Sequence, residues 1–428
     1  MRAAFVTLGC KVNQYESNAL AQLLRENGFT VSGAEEEADV YIVNSCTVTA
    51  ESSRKSRQAL RRIRQKHPDA ILVLTGCYAQ AYSDELDSLP EADLIIGTKQ
   101  NQTLPQAILD FAQDRQRKTL VSEHSKTDTY SCAGAAAFEG HTRAFIKIQD
   151  GCNRYCTYCI IPKSRGFSRS RPLNEIQDEL AAIAANGYKE AVFVGINLSA
   201  YGLDTEKSIC DALLLAENTP GIERIRLGSL EPDHITDEVI GSLKSITKFC
   251  PQFHLSLQSG CDRTLKRMNR HYTAEEYETL CDKLKNAFPG ISLTTDIICG
   301  FPGETEQDFR ETAAFAEKIG FMKVHVFPYS QRASTPAASY PDQIEKQTKL
   351  RRCADLQMLC DNLRLRFLES MVGTEQDVLF ETPKAGLQQG YTKNYTPVCV
   401  RTDSLLTGQI LRVQITGVAN GICNAILL

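Results

Sequence analysis

Short apolar runs alternate with amphipathic stretches over the first hundred positions. Residues 3–8, 40–43, 70–74 and 94–96 have the length and β-branched content of buried strands. Between them, residues 14–27 put Leu20, Leu23 and Leu24 on one helical face and stop at Gly28, and a basic helix spans roughly 51–66. Apolar strands separated by helices predict a parallel sheet covered on both faces. A second series of this kind occupies residues 142–335. Its strands are read at 144–149, 191–195, 224–228, 252–258, 293–300 and 323–329, with capping boxes at Thr273/Glu276 and Thr305/Asp308 opening two of the helices between them. Six strand–helix units in series predict an open or partial barrel related to the eightfold one. A long charged amphipathic stretch follows at 343–369, and then short strands between Pro, Gly and Asn turns predict a small β-barrel. The fold class is α/β. Its expected divisions are a parallel-sheet domain 1–104, a polar linker 105–141, the barrel 142–335, a connecting helix 336–370 and the small β-barrel 371–428.

Composition adds a compartment. The chain of 428 residues carries 16 cysteines, scattered rather than paired in a disulfide framework. Met1-Arg2 leads straight into an apolar strand with no secretory signal, and no apolar run approaches the length of a membrane span. Both features predict a cytoplasmic protein with reduced thiols and no membrane partner. The net charge of −4 argues against non-specific coating of nucleic acid. It hides two basic stretches. One holds Arg143, Lys147, Arg154, Lys163, Arg165, Arg169 and Arg171 against the single acid Asp150, and reads as a basic surface. In the other, Arg54, Arg57, Arg61 and Arg64 fall at helical spacing and form a stripe, either a solvated face or a contact for phosphates.

The chemistry gathers at cysteines. Cys152, Cys156 and Cys159 are spaced CxxxCxxC, with Tyr158 before the last. Thiolates select iron–sulfur clusters, zinc or Cu(I). A four-iron cluster normally takes four cysteines, so this run leaves one metal to a distant ligand or to a small molecule. Structural zinc, the rival, wants four closed ligands. Cys10, Cys46 and Cys77 each fall just past the end of a predicted parallel strand, where ligands of open α/β sheets bind. They are expected to converge as a second metal site. Gly195, Asn197, Ser229, Gln258 and Asp296 lie at the carboxyl ends of the barrel strands and form a polar mouth. The loop 391–395 mixes two tyrosines with a lysine, as in small barrels that bind single-stranded nucleic acid, or as in a plain structural turn.

The motif at Cys152, Cys156 and Cys159 resembles the signature of radical S-adenosylmethionine (SAM) enzymes. The stretches TLGCKVNQYES, VNSCTV, LTGCYAQ, GCNRYCTYCIIPKSRG, LSLQSGCDRTLKRMNR and DIICGFPGET resemble those of the methylthiotransferase family, and the terminal barrel is similar to the TRAM RNA-binding domain. The resemblance implies two 4Fe-4S clusters, one on Cys152, Cys156 and Cys159 for reductive SAM cleavage, and an auxiliary one on Cys10, Cys46 and Cys77 carrying the sulfur to be transferred. It implies SAM contacts at Tyr158, Gly195, Asn197, Ser229, Gln258 and Asp296. Where radical SAM enzymes usually carry Gly-Gly-Glu, this chain has Gly195-Ile196-Asn197. TLGCKVNQYE and GYTKNYTPV are most similar to members that place a methylthio group on carbon 2 of N6-threonylcarbamoyladenosine at position 37 of tRNA. Sister activities on isopentenyladenosine or on a ribosomal-protein aspartate, and a non-catalytic iron–sulfur RNA-binding protein, are the alternatives. The implied partners are tRNA and a reducing electron-donor protein, with the enzyme acting as a monomer. No general acid or base stands out, and no catalytic side chain is assigned.

Overall fold

The computed structural model describes residues 1–428 apart from 34, 84–88, 139 and 385. Its N-terminal part contains β1 (Arg2–Thr7), α1 (Lys11–Glu26), β2 (Thr30–Ser32), β3 (Val40–Ser45), α2 (Ala50–Lys66), β4 (Ile71–Gly76), α3 (Cys77–Ala81), β5 (Leu94–Ile96), α4 (Leu104–Asp114) and β6 (Lys118–Leu120). The strands form one parallel sheet in the order β2-β1-β3-β4-β5-β6. Every residue of β3 and β4 is buried, as expected of strands covered on both faces. Sequence reading missed β2 and β6. Each is three residues long and lacks a periodic signal; pairing with β1 or β5 is what makes it a strand. Residues 118–120 are therefore part of the sheet rather than of a bare linker.

The chain then passes through β7 (Arg143–Lys147), β8 (Gln149–Asp150), α5 (Ile161–Arg165) and β9 (Arg169–Ser170). Residues 147–172, with the CxxxCxxC loop among them, cluster with residues 1–137 and 330–338 in one compact unit. Ile160 belongs to the apolar cluster of β3, β4 and α3 that also contains Val43, Leu74 and Tyr78.

The second unit comprises residues 138–146, 173–329 and 339–428. It continues with α6 (Leu173–Ala185), β10 (Glu190–Val194), α7 (Ile209–Glu217), β11 (Arg224–Leu227), β12 (Ser229–Leu230), α8 (Asp237–Ser245), β13 (Gln252–Leu255), α9 (Asp262–Arg267), α10 (Ala274–Ala287), β14 (Ser292–Cys299), α11 (Glu306–Ile319) and β15 (Lys323–Pro328). All six predicted barrel strands form, in two runs, β11-β10-β7 and β12-β13-β14-β15, with β10–β11 and the whole second run parallel. Both predicted capping boxes close, and Ser208/Asp211 makes a third. The long helix α12 (Lys346–Ser370) leads to β16 (Glu375–Phe380), β17 (Gln388–Thr392), β18 (Pro397–Val400), β19 (Ile410–Ala419) and β20 (Ile422–Leu427), a closed barrel in the order β16-β17-β18-β20-β19. No described helix is long and apolar enough to cross a membrane.

The tyrosine loop is not an open platform. Tyr391 and Tyr395 stack on each other at 4.4 Å, and the guanidinium of Arg143 lies 5.2 and 5.0 Å from their ring centres. Arg226 covers Tyr395 at 4.7 Å. Arg224 and Arg226, both buried, reach from β11 to the carbonyls of Tyr391, Asp377 and Lys393 at 2.7–3.0 Å, and Arg226 donates to the buried Glu190 at 2.7 Å. This clamp fastens the small barrel to β10 and β11. Arg226→Met would leave Glu190 buried with a weaker partner, Arg224 at 3.8 Å. The expected cost is about 3 kcal/mol, read as a lower midpoint in urea unfolding of the whole chain.

Candidate active site

Three parallel strands bring the first cysteine trio together. Ser45 pairs with Gly76, so Cys46 and Cys77 leave β3 and β4 at the same level, and Thr7 of β1 pairs with Asn44. Cys10 caps α1 and Cys77 opens α3. The Sγ atoms of Cys10 and Cys77 each lie 3.9 Å from Asn13 Oδ1, so they stand no more than twice that distance apart. A side chain at Gly9 would meet Cys46 Sγ at 3.0 Å. Gly76 has φ +89°, and a Cβ there would come 2.4 Å from Asn44 Oδ1, so this crossing needs glycine.

The electrostatics suit a thiolate-binding group. Burial pushes the thiols of Cys46 and Cys77 up, and the neighbouring thiols push further, Cys77 on Cys46 and Cys10 on Cys77. Deprotonating three gathered thiols therefore needs a cation, and an iron core supplies one. Part of it is already present in Arg165, fully buried, whose Nε donates to Cys77 Sγ at 3.2 Å. The donor set, its convergence and this charge fit a cluster.

The second trio lies on a loop held by its own backbone. Gly151 has φ +71°, and a Cβ there would sit 1.9 Å from Phe167 O. Gln149 Nε2 donates to Gly151 O at 2.8 Å, Cys152 N–H to Gly166 O at 3.0 Å, and Cys159 N–H to Cys156 O at 2.9 Å. Cys156 is buried; Cys152, Tyr158 and Cys159 are half-buried. Three soft donors on a tight loop fit the same class of group.

Buried ionic contacts join the two trios. Arg165 forks onto Glu16, with Nη2 2.8 Å from Oε2, and also donates to Asn13 Oδ1 at 2.9 Å. Glu16 accepts from Lys147 at 2.7 Å, and Lys147 donates to Asp150 at 2.8 Å. Asp150 accepts from the N–H of Gly151, the residue before Cys152. Two members of the supposed basic surface, Lys147 and Arg165, are thus core cations balanced by Glu16 and Asp150. Sequence reading missed the role of Glu16, because its partners lie more than a hundred residues away.

Each arginine of the basic stripe on α2 has a partner within the protein. Arg54 pairs with Glu51, Arg57 donates to Tyr78 Oη, Arg61 pairs with Glu91, and Arg64 pairs with Asp93. Arg54 and Arg61 keep more than half of their side chains exposed beside these partners, whereas Arg64 is three-quarters covered. A groove on another face of α2 is lined by Lys55, Arg62, Lys66 and His67.

In the second unit, Gly195 follows β10, Asn197 precedes a short 3-10 turn, and Ser229 opens β12. Gln258 donates its N–H to Asp296 O at 2.9 Å. Ser229 pairs with His254 across β12 and β13, and Asp296 Oδ2 lies 3.3 Å from His254 Nε2, so Ser229 and Asp296 flank one imidazole and Gln258 is tied to Asp296 through the backbone. The turn after β10 joins this edge through Ser199, whose Oγ donates to Glu231 O at 3.2 Å and accepts from its N–H at 2.7 Å. Sequence reading passed over His254 and His325, although the alternation His254, Ser256, Gln258 along β13 signals a polar face.

Comparison with known proteins agrees with these features. Residues 2–97 match the family described as "Uncharacterized protein family UPF0004", and residues 146–316 match the radical SAM superfamily. The chain is 40% identical to the threonylcarbamoyladenosine tRNA methylthiotransferase MtaB of Bacillus subtilis over 96% of this chain and 93% of that protein. It is 38% identical to the MtaB of Thermotoga maritima, over 91% and 89%. A tRNA-2-methylthio-N(6)-dimethylallyladenosine synthase of Akkermansia muciniphila is 34% identical, over 96% and 95%. Among solved structures, the radical SAM methyltransferase TsrM of Kitasatospora setae matches with a TM-score of 0.55 at 15% identity, covering 91% of this chain and 77% of that one, which is a likeness of fold.

Proposed function

Because the chain belongs to the methylthiotransferase family of radical SAM enzymes, we propose that it adds a methylthio group to carbon 2 of N6-threonylcarbamoyladenosine at position 37 of tRNA. When bound, two 4Fe-4S clusters and SAM supply the radical chemistry and the sulfur to be transferred. Cys152, Cys156 and Cys159 hold one cluster, and Cys10, Cys46 and Cys77 hold the other. Tyr158, Gly195, Asn197, Ser229, Gln258 and Asp296 contact SAM. Arg165 orients Cys77 and offsets its charge, while Gly151 and Gln149 hold the loop of the second trio. The observation that carries the reading is the meeting of three soft thiol donors at the carboxyl edge of the first sheet, with Asn13 between two of them.

Residues 1–104 carry the auxiliary cluster, 142–335 the SAM chemistry, 336–370 the connection and 371–428 a contact with tRNA. That contact uses a surface other than the stacked tyrosines. A cytoplasmic location, an electron-donor protein and a monomeric enzyme complete the proposal. The test is an anaerobic assay of the reconstituted enzyme with tRNA bearing each precursor base. Methylthiolation of threonylcarbamoyladenosine with little on dimethylallyladenosine is expected. The reverse preference, or product only on protein, would reject the substrate.

A further inference from the structure

Not every cysteine belongs to the two trios. Cys299 ends β14 and is buried, and its carbonyl accepts from the N–H of Tyr329 at 2.8 Å. Cys353 is half-buried on α12. Close packing of α12 on this strand end brings the two thiols together. Lys349, one turn before Cys353 on the same helix face, donates from Nζ to Tyr329 O at 3.3 Å, and a side chain at Gly300 would collide with its stem. Beside Cys353 in the helix, Arg352 Nη1 donates to Glu304 Oε1 at 2.7 Å, and the same oxygen accepts from the N–H of Gly300 at 2.9 Å. Held between these contacts, the Cys299 thiol hydrogen-bonds to the Cys353 sulfur. The proposed clusters use neither sulfur.

The two sulfurs differ in character. The hydrogen bond from Cys299 holds the Cys353 thiol below its ordinary value of 9.0, although burial and the nearby Glu304 carboxylate push the other way. The same bond, with burial, keeps Cys299 protonated. A partly accessible, acidified thiol beside a buried one is the arrangement of an attacking and a resolving cysteine. We propose that Cys353 and Cys299 form a reversible dithiol modification site, oxidised by low-molecular-weight disulfides such as glutathione disulfide. The Cys353 thiolate attacks one sulfur of that disulfide, whose S–S bond breaks. The first glutathione leaves as a thiolate and takes back from water the proton that Cys353 released. Cys299 then attacks the Cys353 sulfur, and its proton departs with the second glutathione. One S–S bond is broken and one formed, and two electrons pass from the protein to glutathione disulfide. Excess reduced glutathione runs the exchange backwards. The link ties α12 to the carboxyl end of β14.

The test incubates the reconstituted full chain anaerobically with glutathione disulfide, blocks the remaining thiols after an acid quench, and maps the unreduced peptides by mass spectrometry. A peptide joining Cys299 to Cys353, lost on adding dithiothreitol, is expected in the wild type with its iron content unchanged. Cys299→Ser should stop at the mixed disulfide of Cys353 with glutathione, and Cys353→Ser should give neither product. In the untreated wild type, iodoacetamide should label Cys353 roughly tenfold faster or more than Cys360 of the same helix, a thiol that burial pushes up to about 12. Iron content equal to wild type shows that the serine variants fold, and the wild-type peptide map and labelling rates decide the matter without them. No Cys299–Cys353 peptide in glutathione disulfide alone overturns the site. So do disulfides confined to the cluster cysteines with loss of iron, or a Cys353 labelled no faster than Cys360.

Discussion

Cys152→Ala is expected to abolish reductive cleavage of SAM, while Cys10→Ala keeps the cleavage and loses only the transfer of sulfur. Each variant should retain about half of the iron of the reconstituted wild type, because three thiolates are the least that hold a four-iron core. Iron and sulfide counting with 5′-deoxyadenosine assay separates the two. The contrast arises because Cys10 meets its partners at the edge of the N-terminal sheet, whereas Cys152 depends on Gly151, Gln149 and Gly166 of its own loop. If Cys10→Ala and Cys152→Ala abolished SAM cleavage alike, the trios would not be separate centres.

Arg165→Gln is expected to be the most damaging change outside the cysteines. It removes both donors to Glu16 and the N–H to Cys77, with all of these groups buried. Breaking a buried pair from one side costs about 3–5 kcal/mol, and the apo-protein should show a urea midpoint lower by roughly 1–2 M. Arg165→Lys keeps a charge without the fork and should fall between. The same network makes an acid prediction. Burial by itself would raise the carboxyl of Glu16, but Arg165 and Lys147 outweigh it and hold it below its ordinary value of 4.5. A carboxyl lowered in the folded state contributes stability above its unfolded value and loses it as pH falls through the folded one. Wild-type stability should therefore decline below about pH 4.5, and the decline should be shallower in Arg165→Gln, where Glu16 is held down less. An equal slope in both proteins would show that this carboxylate does not govern the acid limb.

Much of the molecule is legible in residue order because the relevant forces are local. Buried-strand runs, the stop at Gly28 and the boxes at Thr273 and Thr305 depend on near neighbours, and the helices start where those boxes stand. The six cysteines are legible for a related reason. Thiols just past parallel strands must share one edge whatever the details of packing, and three thiols in one loop need no fold to bring them close.

Partners are another matter. Helical spacing put Arg54, Arg57, Arg61 and Arg64 on one face, but only the packed sheet brings Tyr78, Glu91 and Asp93 within their reach. Glu16 looks like an ordinary helix residue until Lys147 and Arg165 arrive from far along the chain. Tyr391 and Tyr395 have the composition of an RNA-stacking loop, and Arg143 and Arg226 occupy their faces instead. The sequence by itself determined which residue types stand at which strand ends, and with them the two thiol sets. Only tertiary structure decided which charges and rings meet partners inside the protein, as Glu16 meets Lys147 and Arg165. The physical reason is that periodicity sets the direction of a side chain, whereas burial and distance to groups remote in sequence set what it meets.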